Sequence, residues 1–405
     1  MHKHIISLVL SIAVASLVIV DQPNLPTVAA SPKCPSQQSN SPTEFSLGLG
    51  VTSPLTLRRA ILDYLNQGGP YTGLQWLIRK NTTGSILPVD LNRDGVEEIV
   101  VSTSIFNEAW GLASWISIYE CADGLYRASE FDLEASYIQS IRVVRVIDLM
   151  ALGYPQAYFH YRATTSACTE SVIIIGWNGN AFVDFGQLPY VYCPASVKVF
   201  DYNQDGQREI YMRGMTAGNL ESGVGRGVVR VYKWGTNAFQ EVETTYLPSP
   251  YRIHVLQDAQ EAFNNGDIRK VLALYEKAAT RSYLINERSV YENETGQDFA
   301  GQYQTAFANF RLVTLWVSEN GLHTAQSIVT RMQAKYPTST PGSEFVELAL
   351  IFKAEFARTH NRSSACAAVT TRVNESYPNL AGYGYIGNWG TANVEYNSEN
   401  LCPFP

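Results

Sequence analysis

The sequence predicts a multidomain chain, β first and then α, with three antiparallel β units followed by an α-helical solenoid. One loop frame recurs with starts at Asp90, Asp148 and Asp201, 58 and 53 residues apart, rich in oxygen-bearing side chains in the first and third and apolar at positions 3 and 5 in the second. A fixed period of this size marks one supersecondary unit used several times. β-Branched and aromatic runs flank the loops, separated by Asp-Gly and Asn-Gly turns that suit hairpins because both residues tolerate positive φ. Past Leu247-Pro-Ser-Pro250 the hydrophobic period becomes helical.

Composition bounds the function classes. The 405 residues suffice for two ordinary domains, and 45% hydrophobic residues supply real cores. The charged fraction is 17% and the formal charge is -7, without a Lys/Arg cluster that could grip phosphates, so no nucleic-acid partner is expected. Residues 1–30 read as a signal peptide: basic His2-Lys3-His4, the apolar run Ile5 to Val20, then small Val28-Ala29-Ala30 before Ser31. A retained anchor is the alternative, because the run falls just short of a comfortable span. The mature chain is expected to have no membrane span and to be secreted or held in the cell envelope. Its six cysteines allow fifteen pairings. Proximity favours Cys168 with Cys193 and Cys366 with Cys402, which leaves Cys34 with Cys121 by elimination. No CxxC spacing points to zinc or redox chemistry.

Residues 31–51, rich in Ser, Pro and Gln, form a linker. Residues 52–83 make a helical lead-in: Ser53 caps, Pro54 opens the helix, Leu57, Ile61, Tyr64 and Leu65 share one face, and Gly68-Gly69-Pro70 stops it. A shorter apolar piece, Leu74 to Ile78, reads as a second helix.

Residues 84–247 hold the three β units. Runs such as Glu98 to Ser102, Trp115 to Tyr119, Val172 to Ile175 and Val228 to Tyr232 suit strands, so each unit reads as a four-stranded antiparallel sheet. The marks Tyr119 to Tyr126, Trp177 to Phe182 and Trp234 to Phe239 recur downstream of the loops, with Trp177 and Trp234 expected to pack hairpins. In the first loop, Asp90, Asn92 and Asp94 stand at positions 1, 3 and 5, Gly95 at 6 and Glu98 at 9. The second has Asp201, Asn203, Asp205, Gly206 and Glu209 at the same positions. Hard cations take oxygen ligands, so this spacing points to Ca2+ held by those side chains and by the carbonyls of Val96 and Gln207. The acid at 9 instead of 12, and the strand that follows it, separate these loops from the EF-hand. The middle loop has Met150 and Leu152 at ligand positions and is expected to hold no metal.

On these motifs, residues 84–247 resemble FG-GAP (VCBS-like) repeats of the integrin type. The resemblance implies three β-propeller-like blades with calcium in the loops. Three are too few to close an ordinary propeller; an open arc, flanking helices over the edges, or two chains completing each other would resolve this.

Residues 251–378 read as three helix pairs. Val255, Ala259 and Phe263 are answered by Val271, Leu272, Tyr275 and Ala278, then Phe299 to Ser318 pairs with Thr324 to Lys335, and Ser343 to Thr359 with Ala365 to Asn374. The first pair is similar to a tetratricopeptide (TPR-like) repeat, and three such hairpins are about the minimum for a solenoid. Residues 379–405 form a Gly/Tyr-rich tail that a Cys366–Cys402 bridge would fold back over the last helices.

Catalytic motifs are scarce. His160, His254, His323 and His360 stand apart in sequence, and no Gly-x-Ser-x-Gly elbow occurs. The reading is therefore an exported, non-catalytic binding or scaffold protein with a protein or polysaccharide partner. The alternative is a secreted hydrolase of an envelope polymer or glycan, with the β units as accessory module.

Overall fold

The computed structural model describes residues 34–35, 42, 45, 53–75, 82–107, 111–133, 138–164, 167–216, 224–286, 299–378, 380 and 401–404. The signal peptide, most of the linker, the end of the lead-in and most of the tail lie outside them. The lead-in helix α1 (Pro54–Asn66) begins as its sequence dictates. Thr56 N–H donates to Ser53 Oγ at 3.2 Å and Ser53 N–H to Thr56 Oγ1 at 2.9 Å, with Pro54 in the first turn. Beyond it, Tyr71–Gln75 is a 3-10 turn.

Antiparallel sheet follows. β1 (Thr82–Val89), β2 (Glu98–Asn107), β3 (Gly111–Ala122) and β4 (Leu125–Asp132) form a four-stranded meander. Next come β5 (Ile138–Ile147), β6 (Gln156–Thr164), β7 (Cys168–Trp177) and β8 (Phe182–Gln187), then β9 (Val191–Phe200), β10 (Glu209–Met215), β11 (Gly227–Trp234) and β12 (Phe239–Tyr246). These last eight form one sheet, not two. Each set of four is a meander, and among the described residues the sets join as one sheet where β9 pairs with β7 at Thr169↔Tyr192 and Glu170↔Val191. The Cys168–Cys193 disulfide, with Cα atoms 5.5 Å apart, sits at that junction. The merger follows from the three-residue link between β8 and β9, too short to carry the chain far from the strand it has just left.

Burial explains the middle unit's long apolar runs. Phe159, Ile173 and Ile175 pack with Val100, Ile116 and Ile118 of the first unit. On the other side, Tyr158, Val172 and Ile174 pack with Val199, Ile210 and Tyr232 of the third. A sheet buried on both faces needs apolar residues at every position. α1 covers the outer face of the first unit, where Leu57, Ile61 and Leu65 meet Val101, Trp115 and Tyr119. Hairpin register also settles the repeat: Trp177↔Phe182, Trp234↔Phe239 and Cys121↔Tyr126 are equivalent pairs. The mark in the first unit therefore starts at Cys121 and not at Tyr119, whose equivalent is Tyr232. Trp177 and Trp234 pack edge-on against Phe182 and Phe239 at 4.9 and 5.0 Å.

The α region has six helices among the described residues: α2 (Arg252–Asn264), α3 (Ile268–Thr280), α4 (Phe299–Ser318), α5 (Leu322–Lys335), α6 (Ser343–Thr359) and α7 (Arg362–Ser376). All contribute to one core. At its centre the fully buried Arg311 guanidinium lies 5.3 Å from the Tyr275 ring and donates to the Leu401 carbonyl at 3.1 Å. Cys366–Cys402 brings Leu401 into this core. Cys34–Cys121 is the third bridge. Arg226 ties the third β unit to α2: its Nη1 lies 2.7 Å from Asp258 Oδ1, and its Nε donates to the Leu247 carbonyl at 3.1 Å. No described helix is long and apolar enough to cross a membrane.

Candidate metal centre

The three loops share one backbone. Position 4 has a positive φ in each, 60° at Arg93, 55° at Ala151 and 62° at Gln204, and position 6 is Gly95, Gly153 or Gly206 at 84–87°. Nothing crowds a Cβ at these glycines; it is the left-handed backbone that favours them. The opening aspartate uses Oδ2 to accept the position-6 N–H, at 3.1 Å for Asp90, 2.9 Å for Asp148 and 3.0 Å for Asp201. Position 9 reaches back to the N–H of position 2. Leu91 donates to Glu98 Oε2 at 2.6 Å, Leu149 to Gln156 Oε1 at 3.0 Å, and Tyr202 to Glu209 Oε2 at 2.9 Å.

In the first loop, Asn92 Oδ1 accepts from Asp94 N–H at 2.9 Å and Asp94 Oδ1 from Val96 N–H at 2.7 Å, which pins both side chains over the turn. Asp90 Oδ1 is buried without a hydrogen-bond partner. Glu98 is 1% exposed. Burial, reinforced by Asp94 and Asp90, pushes its carboxyl up to about 7. Asp90 and Asp94 thus lie close enough to Glu98 for their charges to raise it, a repulsion that a divalent cation would relieve.

The third-unit loop repeats this. Asn203 Oδ1 accepts from Asp205 N–H at 3.0 Å and Asp205 Oδ1 from Gln207 N–H at 2.8 Å. Glu209 is 1% exposed, and its Oε1 is buried without a hydrogen-bond partner. Two features differ: Asp201 Oδ1 accepts from Asp205 N–H at 3.1 Å, and Lys233 Nζ donates to Asp205 Oδ2 at 2.6 Å and stands 3.8 Å from Glu209 Oε1. Its hydrogen bond holds the Asp205 carboxyl down to about 2. Sequence reasoning missed Lys233, although it directly precedes Trp234, a residue already matched between units.

The middle loop satisfies itself. Gln156 Nε2 lies 3.4 Å from Asp148 Oδ1, which also accepts from Leu152 N–H at 3.0 Å. Met150 turns into the core between the second and third units. Gly176 lies opposite Gln156, and a Cβ there would meet Gln156 Cγ at 2.9 Å, so the glycine makes room for the amide.

Three other clusters among the described residues have their polar groups already engaged. Cys168, Glu170 and Cys193 converge, but the two sulfurs form a disulfide, and Glu170 pairs with buried His160 at 2.6 Å. Burial opposes ionisation of Glu170, yet the hydrogen bond and charge of His160 outweigh it and hold the carboxyl below its ordinary value. His254 bonds Ser249 Oγ through Nδ1 at 2.6 Å and the Val224 carbonyl through Nε2 at 3.1 Å. Burial, then the charge of Arg226, lowers its pKa to about 4, a poor general base at neutral pH. A cavity of about 750 Å³ between α5 and α6 includes Glu347, already bonded by Arg372 at 2.6 Å and Tyr377 at 2.5 Å.

Comparison with protein-family models, curated proteins and solved structures finds no match.

Proposed function

We propose that this is an exported, non-catalytic binding or scaffold protein in which calcium stiffens the β units and the helices add a second interaction surface. The observation that carries this reading is the pair of congruent loops with buried carboxylate oxygens that lack a hydrogen bond, Asp90 Oδ1 and Glu209 Oε1. Ca2+ would be held by Asp90, Asn92, Asp94 and Glu98 with the Val96 carbonyl, and by Asp201, Asn203, Asp205 and Glu209 with the Gln207 carbonyl. It supplies charge neutralisation and cross-links each loop to the strand that follows it; no bond of a substrate is broken. Three disulfides support export. The three stacked meanders support an open arc of propeller-like blades capped by α1, and the paired helices support a TPR-like solenoid. The partner is a protein or polysaccharide.

The test presents the intact mature chain, immobilised, to envelope extract and to isolated envelope polysaccharide of the native host, with calcium or chelator. Retention of a macromolecule that survives washing, without turnover of it, is expected. Cleavage of the polymer with nothing retained would replace this reading with the hydrolase.

A further inference from the structure

The residue across the sheet from position 9 differs in each unit, and with it the charge of the loop. Ile99↔Tyr119, Ala157↔Ile175 and Ile210↔Tyr232 are equivalent pairs, so the next residues, Glu120, Gly176 and Lys233, are equivalent too. Glu120 places a fourth acid within electrostatic reach of Asp94, and Arg127, its partner across the hairpin, which is also bonded to Asp123 at 2.9 Å, offsets part of that charge. Lys233 does the opposite, placing an ammonium on two of the three acids of its loop. That ammonium does not fill the site: Glu209 Oε1, on a side chain 1% exposed, stays without a hydrogen bond. The Lys233 side chain is 27% exposed and has a path to water.

We propose that Lys233 is a built-in competitor for the divalent cation of the third-unit loop: its ammonium holds Asp205 in the metal-free chain and must swing out before the ion enters. The two loops are then unequal. The first fills at lower calcium, and the third fills only when calcium is abundant enough to displace the lysine. A unit charge within ~4 Å of a divalent ion at a partly solvated site changes affinity by about 10- to 100-fold, less at high salt. This inference rests on the calcium reading above.

The test is calorimetric titration of the intact chain with calcium chloride. Glu98→Gln isolates the third-unit loop and Glu209→Gln isolates the first. Lys233→Met should tighten the third-unit loop by about 10- to 100-fold and leave the first unchanged. Lys233→Gln, of similar length and also neutral, should do the same, and the unchanged first-loop titration reports that each variant is folded. The reciprocal Glu120→Lys should weaken the first loop by at least about tenfold. If the first loop binds calcium while both Lys233 variants leave the third within about twofold of wild type, the competitor role is overturned and the calcium reading stands. If neither loop binds in any variant, both fall.

Discussion

Replacing Glu98 by glutamine should stabilise the calcium-free chain and abolish the stabilisation that calcium gives through the first loop. Burial raises the Glu98 carboxyl from 4.5 to about 7 in the folded chain. The stability carried by its protonated form is complete below the unfolded pKa and is lost as pH rises through the folded one. At pH 8 the gap corresponds to about 3 kcal/mol of penalty for a charged, buried carboxylate. Glutamine carries no such penalty, and the middle loop shows the replacement in place, with Gln156 Oε1 accepting from Leu149 N–H as Glu98 accepts from Leu91. Calcium at a hundredfold excess over its dissociation constant returns about 2.7 kcal/mol to wild type, and the variant's first loop recovers none of it. Urea unfolding at pH 8, with chelator and with 10 mM calcium (about a hundredfold over a ~0.1 mM site), should therefore show the variant ahead by about 3 kcal/mol in chelator and the two proteins nearly level in calcium. A variant less stable than wild type in chelator, or one that gains as much from calcium as wild type, would refute the reasoning.

Three further outcomes follow from other parts of the fold. His254 is buried with its pKa lowered to about 4, so its contribution to stability is lost as pH falls from about 6.5, by about 3 kcal/mol in total; unfolding free energies from urea titration at pH 7 and pH 4 should differ less in His254→Gln by that amount. Arg226→Met removes the buried guanidinium between Asp258 and the Leu247 carbonyl and should cost about 3 kcal/mol, with hydrogen exchange rising in α2. Replacing both Cys366 and Cys402 by serine should lower stability by about 2–4 kcal/mol and release Leu401 from the helical core, read by the same exchange.

Features with a local cause were readable in the sequence. Ser53, Pro54 and Gly68 delimit α1 because capping and termination act within a few residues, and the ends of α4 and α6 follow from apolar period alone. The loop residues were likewise readable, since Asx turns and glycine positions are set by neighbours. What depends on long-range pairing was not. The joining of the second and third units rests on two residue pairs between β7 and β9, and no local signal encodes them. Glu120, Gly176 and Lys233 act across a strand pair, so their relation to Glu98, Gln156 and Glu209 emerges only once the register is known. Misplacing the first unit's hairpin mark by two residues was enough to hide it. Gln156 stands at position 9 in the sequence, but that its amide takes the place of the acid follows only from its hydrogen bonds to Leu149 N–H and Asp148.

The most direct measurement is a crystal structure of the intact mature chain grown with calcium, using anomalous scattering to place the ion. A peak is expected in the first loop, about 2.3–2.6 Å from oxygens of Asp90, Asn92, Asp94, Glu98 and the Val96 carbonyl. An ordered first loop with no such peak at 10 mM calcium, about a hundredfold over the dissociation constant expected of a good extracellular site, would contradict the calcium reading.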